Sequence, residues 1–280
     1  MKSNVRAFTA MALVFLCLLA LSGISNGIIS ELIYLCAYIL PMAIGFFADR
    51  EARHKEREHD REYKEPENLL KLSGGAVRTF LPIIFPTVAM VLGFSYATSL
   101  VISMLGGGVQ SLPDVGDNIV FAIIRHALVP ALLEEALFRY MPIRMLARHS
   151  VKATVVLSTL YFALVHNSFY SFPYALAAGA VFITLDIVCE SIWPSVILHF
   201  INNVASVLWI TYSGLEGFSG VYYAVIFTLS LISLVIIFIR RRQYADKVSS
   251  ALSYGDPFTP SREVVAIALP TLIIAISEFL

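Results

Sequence analysis

Residues 118–141 read NIVFAIIRHALVPALLEEALFRYM, a mostly apolar run that contains five Arg, His or Glu side chains. A membrane-spanning helix needs roughly 20 predominantly apolar residues, so this run is long enough to cross a bilayer. Charged residues are costly inside a spanning helix and usually mark a functional site. The stretch therefore predicts a membrane-spanning helix that carries chemistry.

The composition of the whole chain also indicates a membrane protein. Of its 280 residues, 58% are hydrophobic and 14% charged, and the mean hydropathy is +0.77. These values lie well outside those of a soluble globular domain. Lys/Arg and Asp/Glu number 20 each, so no basic field favours nucleic acid, and the expected surroundings are a lipid bilayer. The cysteines Cys17, Cys36 and Cys189 lie in or beside apolar runs and are expected to be apolar filler.

Eight apolar runs are long enough to span a membrane, which predicts an all-α polytopic membrane protein with about eight transmembrane helices. The runs are 7–24, 28–48, 80–105, 118–141, 153–169, 172–189, 191–212 and 220–239. A ninth run, 264–280, contains Pro270 and is expected either to span or to lie in the interface. The first run follows Lys2 and Arg6, so a signal peptide is the alternative for it.

The distribution of Lys and Arg predicts the orientation of these spans. Positive residues collect in cytosolic loops. Eighteen of the 20 lie before the first run or in the segments 49–79, 144–152 and 240–263, whereas the opposite loops carry none. The N-terminus is therefore expected in the cytosol, with the plasma membrane as the expected location. The densely charged stretch 49–62 is expected to be a solvated cytosolic hairpin, with helical pairs such as Glu51 with Lys55 and Asp60 with Lys64.

Two glutamates and an arginine lie together in Leu133-Glu134-Glu135-Ala136-Leu137-Phe138-Arg139. On a helix Glu135 and Arg139 share a face, so they can form an ion pair that lowers the cost of burying both. Glu134 lies about 100° around the helix and has no partner in that register. Glu134 is therefore the candidate catalytic residue.

Two later runs each carry a histidine. His166 follows Phe162 in the fifth run, and His199 precedes Asn203 by one helical turn in the seventh. At a rise of about 1.5 Å per residue, Glu134, His166 and Asn203 lie roughly 20 Å from Arg148, Lys152 and Glu190, respectively, so their depths in the membrane agree. One carboxylate, two imidazoles and one amide are therefore expected to converge within the membrane.

These residues resemble the motifs of the CPBP group of intramembrane proteases, which includes the CAAX-processing endopeptidases and the bacterial Abi and bacteriocin-immunity proteins. The motif EExxxR is matched by Glu134, Glu135 and Arg139. FxxxH is matched by Phe162 and His166, and HxxxN by His199 and Asn203. Each motif alone is weak, but the ordered triple in three separate runs is specific. The resemblance covers about residues 118–210.

The resemblance implies a glutamate-dependent endopeptidase that hydrolyses a peptide bond of a membrane-associated protein or peptide without a covalent enzyme intermediate. Glu134, helped by His166, would activate a water, and His199 and Asn203 would stabilise the oxyanion. Glu135, Arg139 and Phe162 would be structural supports. The chain would then comprise two spans and a charged hairpin (1–79), a protease core (80–240), and a cytosolic tail with a short apolar segment (241–280).

The same side chains also allow a zinc enzyme, because such families are often classed as metalloproteases. Glu134, His166 and His199 would be the ligands. Against zinc, the chain has no HExxH pair on one helix and shows no obvious carboxylate partner for each histidine. We therefore expect no cofactor, with zinc as the alternative.

Other functions and features remain open. Buried charges also describe a transporter, although paired halves with matching broken spans are missing from the sequence. A non-catalytic immunity protein is the third class. Gly217-Phe218-Ser219-Gly220 matches the GxSG of rhomboid serine proteases but lacks a histidine after it. Asp186 is unexplained by the motifs, and we expect it to pair with Arg125 or Arg139 or to line a substrate path.

Overall fold

The computed structural model describes residues 2–24, 27–56, 69–105, 118–147, 149–166 and 170–253, and the regular elements within these ranges are helical. The α-helices are α1 (Lys2–Ile24), α2 (Gly27–Glu56), α3 (Gly74–Phe80), α4 (Ile84–Met104), α5 (Ile119–Ile123), α6 (Val129–Glu135), α7 (Met141–Leu146), α8 (Val151–Leu164), α9 (Phe172–Cys189), α10 (Trp193–Tyr212), α11 (Phe218–Ile239) and α12 (Arg241–Leu252). A 3₁₀ turn, Leu81–Ile83, joins α3 to α4.

The all-α polytopic class is confirmed. Five stretches are long and apolar enough to cross a membrane: Gly27–Glu51, Gly74–Met104, Phe172–Cys189, Trp193–Tyr212 and Phe218–Ile239. Shorter apolar helices cover Ala10–Ser22 and Val151–Leu164. These seven, together with the charged stretch 119–146, occupy the positions of the eight predicted spans. The ninth run, 264–280, lies outside the described residues.

The charged stretch 119–146, called here the composite helix, alternates between α-helical and π-helical turns. Its π segments are Ile124–Leu128 and Ala136–Tyr140. Pro130 and Pro142 lie in the first turn of the α segments that follow. Because a proline has no N–H, Pro142 cannot bond the carbonyl of Phe138 four residues earlier. The hydroxyl of Ser158 in α8 donates to that carbonyl instead.

The fifth predicted span, 153–169, is shorter in the structure, because α8 ends at Leu164. Its 14 residues give a length of about 21 Å, less than the roughly 30 Å of a hydrocarbon core. His166 lies in the turn directly after this helix rather than inside it. A helix of this length that starts at one interface ends inside the bilayer, and so places the turn there.

The hairpin of α1 and α2 packs against the composite helix and α8. The contact is largely aromatic: ring centroids are 5.4 Å apart for Phe15 and Phe138 and 5.1 Å for Phe8 and Tyr161. Gly45 of α2 leaves room for two methionines, since a Cβ there would lie 2.2 Å from the sulfur of Met11 in α1 and 2.6 Å from Cε of Met141 in α7. The N-terminal hairpin is therefore part of the core.

The charged stretch 49–62 is not wholly solvated, contrary to the prediction. The side chain of Asp49 is fully buried, and its Oδ2 lies 3.0 Å from Nη2 of Arg144. The same guanidinium donates through Nη1 to the hydroxyl of Tyr140 at 2.9 Å. A carboxylate with a cationic partner can be buried at the end of α2, and this pair ties α2 to α7. The predicted pair of Asp60 with Lys64 lies outside the described residues.

The last described helix, α12, packs back on α3. In α12, the hydroxyl of Tyr244 donates to the carbonyl of Thr79 at 2.9 Å, and Lys247 Nζ donates to Oγ1 of the same threonine at 3.1 Å. The segment 69–73 also joins the start of α10, where the indole of Trp193 donates to the carbonyl of Leu70 at 2.6 Å.

Candidate active site

The ion pair predicted within the composite helix is present. Arg139 Nε lies 3.1 Å from Glu135 Oε2, and both side chains are fully buried. The guanidinium also lies over the ring of Phe162, with Cζ 4.2 Å from its centroid. Such a cation–π contact adds to the pairing in a desolvated site. Phe162, from α8, therefore contacts the arginine, a contact that the motif spacing did not specify.

His199 lies between the two glutamates. Its Nδ1 donates to Glu135 Oε1 at 2.7 Å, and its Nε2 lies 3.9 Å from Glu134 Oε2. Because an ionised carboxylate can only accept a hydrogen bond, Glu135 fixes the proton on Nδ1 and orients the ring. Glu135 thus links Arg139 to His199, a contact that the sequence pattern did not predict.

Glu134 is held by a residue outside its own helix. Its side chain is 16% exposed, and Oε1 accepts a hydrogen bond from the hydroxyl of Tyr38 in α2 at 3.3 Å. The hydroxyl of Tyr38 is also 3.3 Å from that of Tyr34. Sequence reasoning missed both tyrosines, because a tyrosine inside an apolar run carries no signal that distinguishes it from a packing residue.

His166 is oriented by the helix end that precedes it. Its Nδ1 donates to the carbonyl of Phe162 at 2.7 Å, one of the carbonyls that the end of α8 leaves without an intrahelical donor. In the neutral imidazole the proton on Nδ1 leaves Nε2 as an acceptor. His166 can therefore receive a proton or a hydrogen bond at Nε2.

A cavity of about 140 Å³ brings the remaining predicted residues together. His166, His199 and Asn203 all line it, with Tyr174 and Phe182 from α9 completing the wall. Asn202 lines it too, and its side-chain oxygen is buried with no hydrogen-bond partner among the described residues. Asn202 lies inside the HxxxN motif, directly before its asparagine, and was not singled out from the sequence. Glu134 is not among the lining residues and reaches this group through His199.

Asp186 has a different role from the one predicted. Its Oδ1 accepts from the backbone N–H of Ser195 at 3.0 Å and its Oδ2 from the hydroxyl of that residue at 2.6 Å. It therefore anchors the start of α10 instead of pairing with Arg125 or Arg139. Arg125 forms its ion pair with Glu31 of α2.

The GxSG match is a helix start. Gly217 adopts a left-handed conformation with φ +77°, and α11 begins at Phe218. The hydroxyl of Ser219 donates to the carbonyl of Ser213 at 3.4 Å. A left-handed residue before a helix favours glycine, so the first glycine of the match is explained by backbone geometry.

The fit of the site to a metal ion gives a mixed result. Within the described residues, no group of three or more His, Cys, Asp or Glu is arranged to hold a metal ion. Each histidine does have the outer partner that a ligating histidine usually has, Glu135 for His199 and the carbonyl of Phe162 for His166. The expectation of no carboxylate partner for the histidines was wrong for His199, whereas the partner of His166 is a carbonyl.

Comparison with known proteins gives a family match in the middle of the chain. Residues 116–205 match the family described as type II CAAX prenyl endopeptidase Rce1-like. No curated protein and no solved structure matches the chain. The matched segment contains all three motifs. The resemblance that the motifs predicted is confirmed: over residues 116–205 this integral membrane chain is similar to the Rce1-like type II CAAX prenyl endopeptidases, which are proteases.

Proposed function

We propose that this protein is a glutamate-dependent intramembrane endopeptidase that cleaves a CAAX-type carboxy-terminal sequence on a membrane-associated, prenylated protein or peptide. The family match supports CAAX-type endopeptidase activity. The choice of substrate follows from that likeness and from the apolar helices that surround the site. A lipid-modified peptide is the form of substrate that partitions into such surroundings.

One separation supports the proposed chemistry most directly. Glu134 Oε2 and His199 Nε2 are 3.9 Å apart, too far for a direct hydrogen bond. A single water oxygen bonded to both groups can bridge such a distance. A water at this point would give its proton to Glu134 as it attacks the scissile carbonyl carbon, while its oxygen stays within reach of His199.

The histidines then divide the work according to which nitrogen carries the proton. His166 presents Nε2 as an acceptor and can assist Glu134 in polarising the water. His199 donates through Nδ1 to Glu135, so it can donate from Nε2 to an oxyanion only as the imidazolium. Asn203, in the same cavity, supplies a neutral amide donor.

Glu135 and Arg139 act on the site through His199. Arg139 holds Glu135, and Glu135 fixes the orientation of the imidazole that faces Glu134. Neither residue lines the cavity. Their role is therefore to position His199 and to neutralise one another inside the bundle.

The proposal is tested by a cleavage assay on the purified full chain in liposomes. The substrates are a farnesylated peptide with a CAAX ending and the same peptide without the lipid, with products identified by mass spectrometry. We expect cleavage of the lipidated peptide by wild type, none by Glu134→Gln, and normal cleavage by Glu216→Gln, which alters an exposed glutamate in the turn before α11.

Absence of cleavage by the wild type contradicts the CAAX assignment, and turnover of peptides lacking a CAAX ending would favour processing of bacteriocin or signal peptides. Substantial turnover by Glu134→Gln contradicts the general-base role. Ion or solute flux across the liposomes without any proteolysis would favour a transporter. If the wild type shows neither cleavage nor flux, a non-catalytic immunity protein is favoured.

A further inference from the structure

The hydrogen bond to Glu134 begins a chain that leads away from the histidines. Tyr38 donates to Glu134 Oε1 at 3.3 Å, and Tyr34, one turn earlier on α2, lies 3.3 Å from Tyr38 between hydroxyl oxygens. Tyr38 is 3% exposed. Both tyrosines lie outside the matched segment 116–205. The similarity to the Rce1-like family therefore does not assign them a role.

Tyr34 opens onto a second cavity, called here the vestibule, of about 520 Å³. The vestibule lies between the facing ends of α1 and α2 and the start of the composite helix. Its walls are partly polar, with Ser22, Ser30 and the ion pair of Glu31 with Arg125. At about 30 Å³ per molecule in the liquid, it has room for more than ten waters. Its polar side chains favour filling by water over a dry void.

Hydrolysis requires such an entrance, because each turnover consumes one water in a site enclosed by apolar helices. The smaller cavity of about 140 Å³ carries both histidines and Asn203, so it is the place where the scissile carbonyl must sit. A bound peptide would block the passage of water on that side. The vestibule reaches Glu134 from another direction, through Tyr34 and Tyr38 instead of through His199.

We propose that Tyr38 is the positioning residue for Glu134, and that the Tyr34–Tyr38 pair forms the route by which water passes from the vestibule to the catalytic carboxylate. The proposal rests on the general-base role of Glu134 given above.

The tyrosines are not consumed in this scheme. The water oxygen bonds to the carbonyl carbon and its proton moves to Glu134. The C–N bond then breaks, and Glu134 returns the proton to the departing nitrogen. The hydroxyl of Tyr38 keeps Glu134 Oε1 occupied, which leaves Oε2 facing His199 and the attacking water. Tyr34 offers the next hydroxyl to an incoming water.

The first test removes the two hydroxyls one at a time in the full chain reconstituted in liposomes. Tyr38→Phe keeps the edge-to-face contact with Phe15 but loses the bond to Glu134. We expect kcat to fall at least tenfold with KM within twofold of wild type. Tyr34→Phe leaves Tyr38 in place, and we expect a smaller fall in kcat. The matched control is Tyr222→Phe, which loses a phenol bond of 2.9 Å to the carbonyl of Ala205 and should keep wild-type kcat.

The second test narrows the vestibule. Leu35 and Leu32 are both exposed leucines of α2, but only Leu35 lines the vestibule. We expect Leu35→Trp to lower kcat without changing KM, and Leu32→Trp to behave as wild type. Equal kcat values for the two tryptophan variants overturn the water route, whatever the tyrosine variants do.

The outcomes separate this inference from the proposed function. If Glu134→Gln is inactive while both Tyr38→Phe and Tyr34→Phe keep wild-type kcat and KM, the tyrosine route is wrong and the general base stands. If Glu134→Gln is active, the proposed function itself fails. Should Tyr38→Phe not fold, Tyr34→Phe and the Leu35 and Leu32 pair decide the question.

Discussion

Two adjacent glutamates differ in environment although they share a sequence context. Glu135 is fully buried, with Arg139 and His199 on its two oxygens. Glu134 is partly exposed, with Tyr38 on one oxygen and the other facing a gap. Both oxygens of Glu135 are engaged by Arg139 and His199, whereas one oxygen of Glu134 has space beside it for a water. In the proposed function, Glu135 is therefore the structural residue and Glu134 the general base.

Exchanging each glutamate for glutamine separates these roles. Glu134→Gln keeps a carbonyl oxygen for Tyr38 to bond, so we expect loss of turnover with a thermal midpoint near wild type. Glu135→Gln leaves the Arg139 charge buried without its partner, which costs about 3–5 kcal/mol. We expect it to lose both activity and stability, measured by thermal unfolding in detergent. An equal drop in stability for the two variants would contradict this division.

The role of a metal is tested on the same residues. The proposed chemistry uses a carboxylate base and hydrogen-bond donors, so we expect enzyme treated with a membrane-permeant zinc chelator to keep most of its activity. Elemental analysis should then find less than one zinc per chain. Loss of activity that only added zinc restores, together with about one zinc per chain, would reassign Glu134, His166 and His199 as ligands.

The sequence predicted part of this site, for identifiable reasons. The pair of Glu135 with Arg139 follows from helical spacing, and the convergence of His166, His199 and Asn203 from two motifs of similar depth. The contact of Tyr38 with Glu134 joins residues 96 positions apart. No local spacing rule describes such a pair, because it depends on how the N-terminal hairpin packs.

At the scale of the elements, proline and helix length decide where the site lies. Spacing of apolar residues predicted a continuous span over 118–141, but the structure has α and π turns there with Pro130 and Pro142 at the transitions. It also predicted a full fifth span, whereas α8 ends early at Leu164. Hydropathy measures how apolar a stretch is. It does not report where a backbone carbonyl loses its donor.

Helices α8 and α9 approach each other closely at Gly179. We therefore expect alanine substitutions at Gly179 and at Gly93 to change the thermal midpoint differently. A Cβ on Gly179 would lie 3.2 Å from the Phe162 ring and 3.4 Å from Thr159 Cα, whereas one on Gly93 of α4 meets nothing within 4 Å. Alanine improves helix propensity by up to about 1 kcal/mol. We expect Gly93→Ala to leave the thermal midpoint unchanged or raised.

Gly179→Ala should instead lower both the thermal midpoint and the turnover, because the Phe162 ring that it displaces lies over Arg139. Both variants are measured by thermal unfolding and peptide cleavage in the same detergent. If Gly179→Ala matched Gly93→Ala in both measurements, the close approach of the two helices would not control the site.

For the molecule as a whole, the N-terminal hairpin of α1 and α2 packs as one unit with the helices that carry the candidate site. The family match begins at residue 116, yet α2 supplies Tyr38 to Glu134 and Asp49 to Arg144. These contacts at two levels of α2 hold the composite helix along its length. The predicted division at residue 79 therefore separates segments that share a core.

The orientation of this unit in the membrane is predicted by charge and can be tested at the two ends of α11. Leu215, in the turn before α11, is 60% exposed, and Ala245 of α12 follows the cluster Arg240, Arg241 and Arg242. Positive residues stay in the cytosol, so a cysteine at 245 should be protected from an impermeant thiol reagent in intact cells and one at 215 labelled.

Cysteines at 55, 110 and 170 extend the test, with 55 expected on the protected side and the other two on the labelled side. The native Cys17, Cys36 and Cys189 are first replaced by alanine, and permeabilised cells serve as the control in which all positions react. Because α11 is a single apolar helix of 22 residues, labelling of 215 and 245 from the same side would mean that it does not cross the bilayer, and a reversed pattern would place the N-terminus outside the cytosol.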